Sequence, residues 1–84
     1  MNTARNRKGR AQCRAARALV DMGQSVLARR AVVSRDTIVD FENGSRTPIA
    51  SNLAAIRAAL EAAGVIFIDE NGEGPGVRLR KKPA

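Results

Sequence analysis

The residue type most able to do chemistry in this chain is arginine. Twelve of its 15 basic residues are Arg, whose planar guanidinium fork suits phosphate oxygens and the O6/N7 edge of guanine. They fall in groups: Arg5, Arg7, Lys8 and Arg10 near the start, Arg14 and Arg17, the pair Arg29-Arg30, then Arg35 beside Asp36, with Asp40 one helical turn on, and Arg46. Other chemistries are poorly supplied. There is no His and a single Cys, so Ser-His-Asp and Cys-His nucleophilic pairs and imidazole metal ligands are unavailable. An enzyme is the poorest candidate, and no metal, cofactor or small-molecule ligand is expected. Cys13 can close no internal disulfide and reads as a small core residue. Gly72, Gly74 and Gly76 imitate a phosphate loop, but no Gly-Lys-Ser/Thr or helix follows, and they read as a turn.

The charge is lopsided. Residues 1–46 hold ten basic and four acidic residues, a net of +6, while residues 47–84 hold five and four, a net of +1. A basic half joined to a near-neutral half points to a polyanion contacted by one side of the molecule, against the plainer alternative of a solvated basic surface. Arg14 and Arg17 interrupt any apolar stretch after the basic start, so no signal peptide is read. The longest apolar run, Val65-Ile66-Phe67-Ile68, is far too short to span a membrane. A cytoplasmic protein without a membrane partner is expected.

The elements that must position these cations follow from periodicity. With 84 residues there is room for one small domain, burying roughly 60% of its unfolded surface. Residues 1–10 read as a basic flexible arm, residues 11–64 as a helical domain, and residues 65–84 as a hairpin and tail. In the first helix Cys13, Ala16 and Val20, with Ala15 and Leu19, share a broad face, and the helix ends near Asp21-Met22-Gly23. The second starts at Gln24 and runs to Arg30 or Ala31, with Leu27 and Ala31 inward. Ser34 caps a third, from about Arg35 to Asn43, with Asp36 favoured by the dipole in its first turn and Gly44 closing it. Leu53, Ile56 and Leu60, with Ala63, mark a fourth, ended by Gly64. Its cap is either Thr47, with Pro48 at the first position, or Ser51 or Asn52. Val65–Ile68 and Val77–Arg80 then read as a hairpin around a Gly-rich loop. Its first strand is apolar on both faces, so one face is expected on the helices and the other on a second protomer, through Ile66, Phe67, Ile68, Val77 and Leu79.

Two short helices joined by about three residues follow the plan of a helix-turn-helix, with Ala28 small at the crossing, Val33 plugging the turn, and Ile38 and Phe41 anchoring the second helix. The stretches Cys13–Val20, Gln24–Ala28, Val33–Ile38 and Phe41–Pro48 resemble the lambda-repressor/Cro-like, or Xre-type, helix-turn-helix regulators. Including the fourth helix and Glu61–Val65, the resemblance covers about residues 11–80. It implies a mainly α fold: a four- to five-helix lambda-repressor-like DNA-binding domain with a short C-terminal β-hairpin.

The same resemblance implies roles. Arg35 and Asp36, with Asp40, would face base edges. Gln24, Ser34, Thr37, Ser45, Arg46 and Arg30 would contact phosphates, which position a protein without reading sequence. Arg5, Arg7, Lys8 and Arg10 would enter a minor groove or raise nonspecific affinity. Arg17 would pair with Glu42 and tie the first helix to the third. One departure stands out: Val32 occupies the turn position where the family usually has glycine. A left-handed Val there costs on the order of 1–2 kcal/mol, unless the turn is remodelled. The implied function is a sequence-specific transcriptional regulator, a repressor binding double-stranded DNA as a homodimer. The alternative is a protein-interaction module, an antitoxin or antiactivator on the same fold.

Overall fold

Four helices and one hairpin follow in order: α1 Thr3–Leu19, α2 Gln24–Ala31, α3 Arg35–Asn43, α4 Ala50–Ala62, β1 Val65–Ile68 and β2 Gly76–Leu79. The computed structural model describes residues 3–81, with side chains from residue 9 onward. The mainly helical fold with an antiparallel hairpin agrees with the sequence reading, at the four-helix end of the expected range among the described residues. None of the helices described is long and apolar enough to cross a membrane.

The start of α1 corrects the expected boundary. Residues 3–10 were expected as a flexible arm, yet the helix begins at Thr3 and runs without a break through Ala11. Ala, Arg and Lys dominate there, all good helix formers, and no Pro interrupts them. The side chains of Arg5, Arg7 and Lys8 lie outside the described set. The helix also stops earlier than expected, at Leu19, because Asp21 turns left-handed with φ 54°. Cys13, Ala16 and Val20 form the inward stripe, whereas Ala15 and Leu19 are exposed.

The buried cluster draws on all four helices and β1, with Val77 of β2 packed against it. Cys13 and Ala16 of α1, Leu27, Ala28 and Ala31 of α2, Ile38 and Phe41 of α3, Ile56 and Leu60 of α4, and Val65 of β1 meet with Met22 from the first turn. Ala28 of α2 is buried in the cluster, and Val33, in the turn before α3, packs onto it. For α4 neither expected cap is used. Ile49 occupies the N-cap position without a side-chain hydrogen bond. Thr47 lies two residues too early, and Ser51 and Asn52 are already helical.

In the hairpin Val65 faces Leu79, Ile66 faces Arg78, Phe67 faces Val77 and Ile68 faces Gly76. Cross-strand partners share a face. Val65, Phe67 and Val77 therefore belong to the face against the helices, where Val65 is fully buried and the other two pack on the core. Phe67 and Val77 were expected at a subunit interface; their burial against the chain's own helices follows from the registration of Phe67 with Val77. Leu79 shares that side but stays half exposed. Gln12 of α1 fastens the far end, its Nε2 donating to the carbonyls of Ile68 (3.3 Å) and Gly76 (3.0 Å). The hairpin is thus part of the one core.

Candidate nucleic-acid interface

The short helix α3 is the element through which the basic half could act, and its ends are fixed by named contacts. At its start Ser34 Oγ accepts from the Thr37 backbone N–H at 3.1 Å and lies 2.8 Å from the Thr37 hydroxyl. Both hydroxyls expected on phosphates are therefore engaged with each other at the cap. At its end the N–H of Ser45 reaches the Asp40 carbonyl (2.9 Å) and that of Gly44 the Phe41 carbonyl (3.2 Å). This is the Schellman pattern, with Gly44 at φ 84°. The Ser45 hydroxyl donates to Asn43 Oδ1 at 2.6 Å, and the Arg46 N–H also turns back onto the Asp40 carbonyl, at 3.3 Å.

One face of α3 is buried through Ile38, Phe41 and Glu42. The other carries Arg35 and Asp36, both exposed, with Thr37 and Asp40 half-buried. Arg29, Arg30 and Arg46 are exposed as well, and among the described residues no ion pair neutralises these three or Arg35. Four free guanidiniums thus lie along α2, the start of α3 and the loop after it.

Glu42 holds the helix to its neighbours. It is 3% exposed, a position a carboxylate tolerates only when fully paired. Arg17 grips it with two bonds of 2.7 Å, Nε to Oε2 and Nη2 to Oε1. Gln24 Nε2 donates to Oε1 at 3.0 Å, and the Cys13 thiol to Oε2 at 3.1 Å. Arg17 Nη1 also donates to the Met22 carbonyl at 3.0 Å. Burial pushes the Glu42 carboxyl up, but the hydrogen bonds from Arg17, Gln24 and Cys13 and the Arg17 charge outweigh it, leaving the group below its ordinary range. The hydrogen bonds with Glu42 raise Arg17. Burial, then the bond to Glu42, pushes the Cys13 thiol far up. The thiol is therefore a protonated donor, not a nucleophile.

A carboxylate in the last turn of a helix opposes the helix dipole. Two further arginines offset this. Arg14 Nη1 donates to the Glu42 carbonyl at 2.6 Å, and the Arg10 guanidinium lies over Gly44, where a Cβ on that glycine would collide with it. Arg10, expected as a DNA-contacting arm residue, thus sits at the C-terminus of α3. Arg14 carried no expected contact with α3. The available signal was the spacing 10, 14, 17, which lines three arginines along one face of a helix.

Gln24 is likewise turned inward onto Glu42, though its amide nitrogen carries a second N–H. The turn before α3 keeps its left-handed residue: Val32 has φ 57° and ψ 47°, with Val32 N–H on Arg29 O (3.3 Å) and Val33 N–H on Ala28 O (3.0 Å). Its side chain is 88% exposed. Among the described residues, no group of three or more His, Cys, Asp or Glu could hold a metal ion. Compared with known proteins, the chain matches no protein-family model and no curated protein.

Proposed function

We propose that the chain is a sequence-specific double-stranded DNA-binding transcriptional regulator of the lambda-repressor/Cro-like type, a repressor that acts as a homodimer on a two-fold operator. The observation that carries the reading is α3 itself: buried on one face, capped at both ends, and bordered by the unpaired cations Arg29, Arg30, Arg35 and Arg46. In this reading α3 lies in the major groove. Arg35 donates to guanine O6 and N7, and Asp36 and Asp40 accept from cytosine N4. Arg30 and Arg46, with the second N–H of Gln24, hold phosphates and fix the register. Two copies would read half-sites about one helical turn, ~34–36 Å, apart. Occupying a promoter in this way excludes polymerase.

Mobility-shift titrations across a salt series, using DNA selected from a random pool, test the reading. Arg35→Ala should cost about 1–3 kcal/mol and relax preference at one position, whereas Arg46→Ala should weaken all sequences alike and flatten the salt slope by about one. Absence of sequence preference at every salt concentration would remove the proposal in favour of a protein-binding module.

A further inference from the structure

An open-sided cleft of about 130 Å³ lies between α1, α3, α4 and β1. Its walls include Phe41 and Phe67, with Leu53, Ile56 and Leu60 of α4. Those two phenylalanines are the only aromatic residues in the chain, and the fold brings both to one place. An apolar cavity of roughly 150 Å³ holds a benzene ring, so the cleft has the size for a single six-membered ring. Gly9 forms part of the α1 wall. It lies inside the helix without a positive φ, and a Cβ there would meet Phe41 Cζ at 3.8 Å, an ordinary contact. Neither torsion nor crowding therefore requires glycine, which weakens a helix interior relative to alanine. What Gly9 provides is space beside the Phe41 ring.

We propose that this cleft binds a neutral, single-ring aromatic compound. The apolar walls select the ring, which packs offset or edge-on against Phe41 and Phe67. The polar side chains of the lining select its neutrality, because both are already engaged. Gln12 gives its amide N–H groups to the Ile68 and Gly76 carbonyls. Arg57 lies over the Phe67 ring, 4.9 Å from its centroid, with Glu61 at 3.3 Å and Asp69 at 4.0 Å. An anionic ring would bring its charge beside those two carboxylates, and a cationic one would face the Arg57 guanidinium. A neutral ring leaves every one of these contacts in place. The sequence, from which no small-molecule ligand was expected, gives no sign of the site, since Phe41 and Phe67 belong to separate elements and meet only through the fold. The site goes beyond the function proposed above and does not rest on it. The cleft lies on the core side of α3, away from Arg35 and Asp36, and an occupant would brace α3 against α1 and α4.

Titration of the full chain with perdeuterated benzene, followed by proton NMR, decides the matter. With no Trp, Tyr or His in the sequence, the aromatic carbon-bound proton signals come from Phe41 and Phe67 alone, and the probe adds none. Both sets should shift and saturate together. Benzene at ten times its midpoint concentration should lower the unfolded population about tenfold, read as a higher denaturation midpoint. Gly9→Leu, which fills the space beside Phe41, should weaken binding at least tenfold while circular dichroism shows the helices intact. Benzoate, with the same ring and a negative charge, should bind at least tenfold more weakly than benzene. Shifts that stay linear up to the solubility of benzene, or that move one ring only, would overturn the proposal. So would undiminished binding to Gly9→Leu, or benzoate binding as tightly as benzene. A benzene affinity that falls as protein concentration rises would assign the cleft to a second copy of the chain instead.

Discussion

α2 and α3 end in the same backbone motif, yet with opposite residues at its left-handed position. Val32 closes α2 at φ 57°, and Gly44 closes α3 at φ 84°. Each cap makes the same two hydrogen bonds, so the motif alone does not select the residue. What lies outside it does. A side chain at Gly44 would meet the Arg10 guanidinium, whereas Val32 projects into solvent. The end of α3 is crowded with anchors from α1, and the end of α2 stands free. The chain tolerates torsional strain where nothing else is at stake and avoids it where the orientation of α3 is set.

Removing the anchor of the crowded end should have the largest effect. Glu42→Ala strands Arg17 and Gln24 and should destabilise the fold by about 3 kcal/mol, a loss in melting temperature of roughly 15 °C for a domain of this size. Chemical denaturation checks it; a change below ~1 kcal/mol would mean the network adds little beyond what water supplies. The same group sets an acid dependence. A carboxylate whose native pKa is depressed contributes fully above its unfolded value, about 4.3, and loses that contribution as pH falls through the native one. Wild-type stability should therefore decline on acidification below about pH 5, and Glu42→Gln should flatten that decline. An unchanged slope would assign it to other carboxylates.

Smaller effects separate the two caps. Gly44→Ala should cost about 1–2 kcal/mol, from left-handed strain together with displacement of Arg10. In an Arg10→Ala background the cost should shrink towards the strain alone, as a double-mutant cycle would measure. At the free end the sign reverses. Val32→Gly should stabilise by up to about 1 kcal/mol, the relief of strain outweighing the extra freedom of glycine when unfolded. A destabilised Val32→Gly would show that the exposed side chain does more than its surroundings indicate.

Much of the fold was legible because its signals were local. Ser34 and Gly44 bounded α3 to the residue, and the Val65–Ile68 run against the Gly-rich loop announced the hairpin. The start of α1 was misread because polar helix formers without apolar periodicity look the same as an arm. The side of the hairpin taken by Phe67 and Val77 depended on strand register, which an equally apolar pair of faces leaves open. At the candidate interface Arg35 and Asp36 could be placed from the cap alone, since the first turn follows from it. Arg10 and Arg14 could not. Their contacts reach across 28 or more residues, and an Arg on a basic face gives no local sign that it serves a carbonyl instead of solvent. The pairing of Arg17 with Glu42 came only from the family resemblance.

Burial of Cys13 against Glu42 has a further consequence, for measurement. Its thiol is shielded by packing and held protonated, so the folded chain behaves towards alkylating reagents as though it had no cysteine. A reagent must wait until α1 lifts away from α3. The rate at which Cys13 is modified thus times the opening of the joint that aims α3, with no introduced label and no foreign probe.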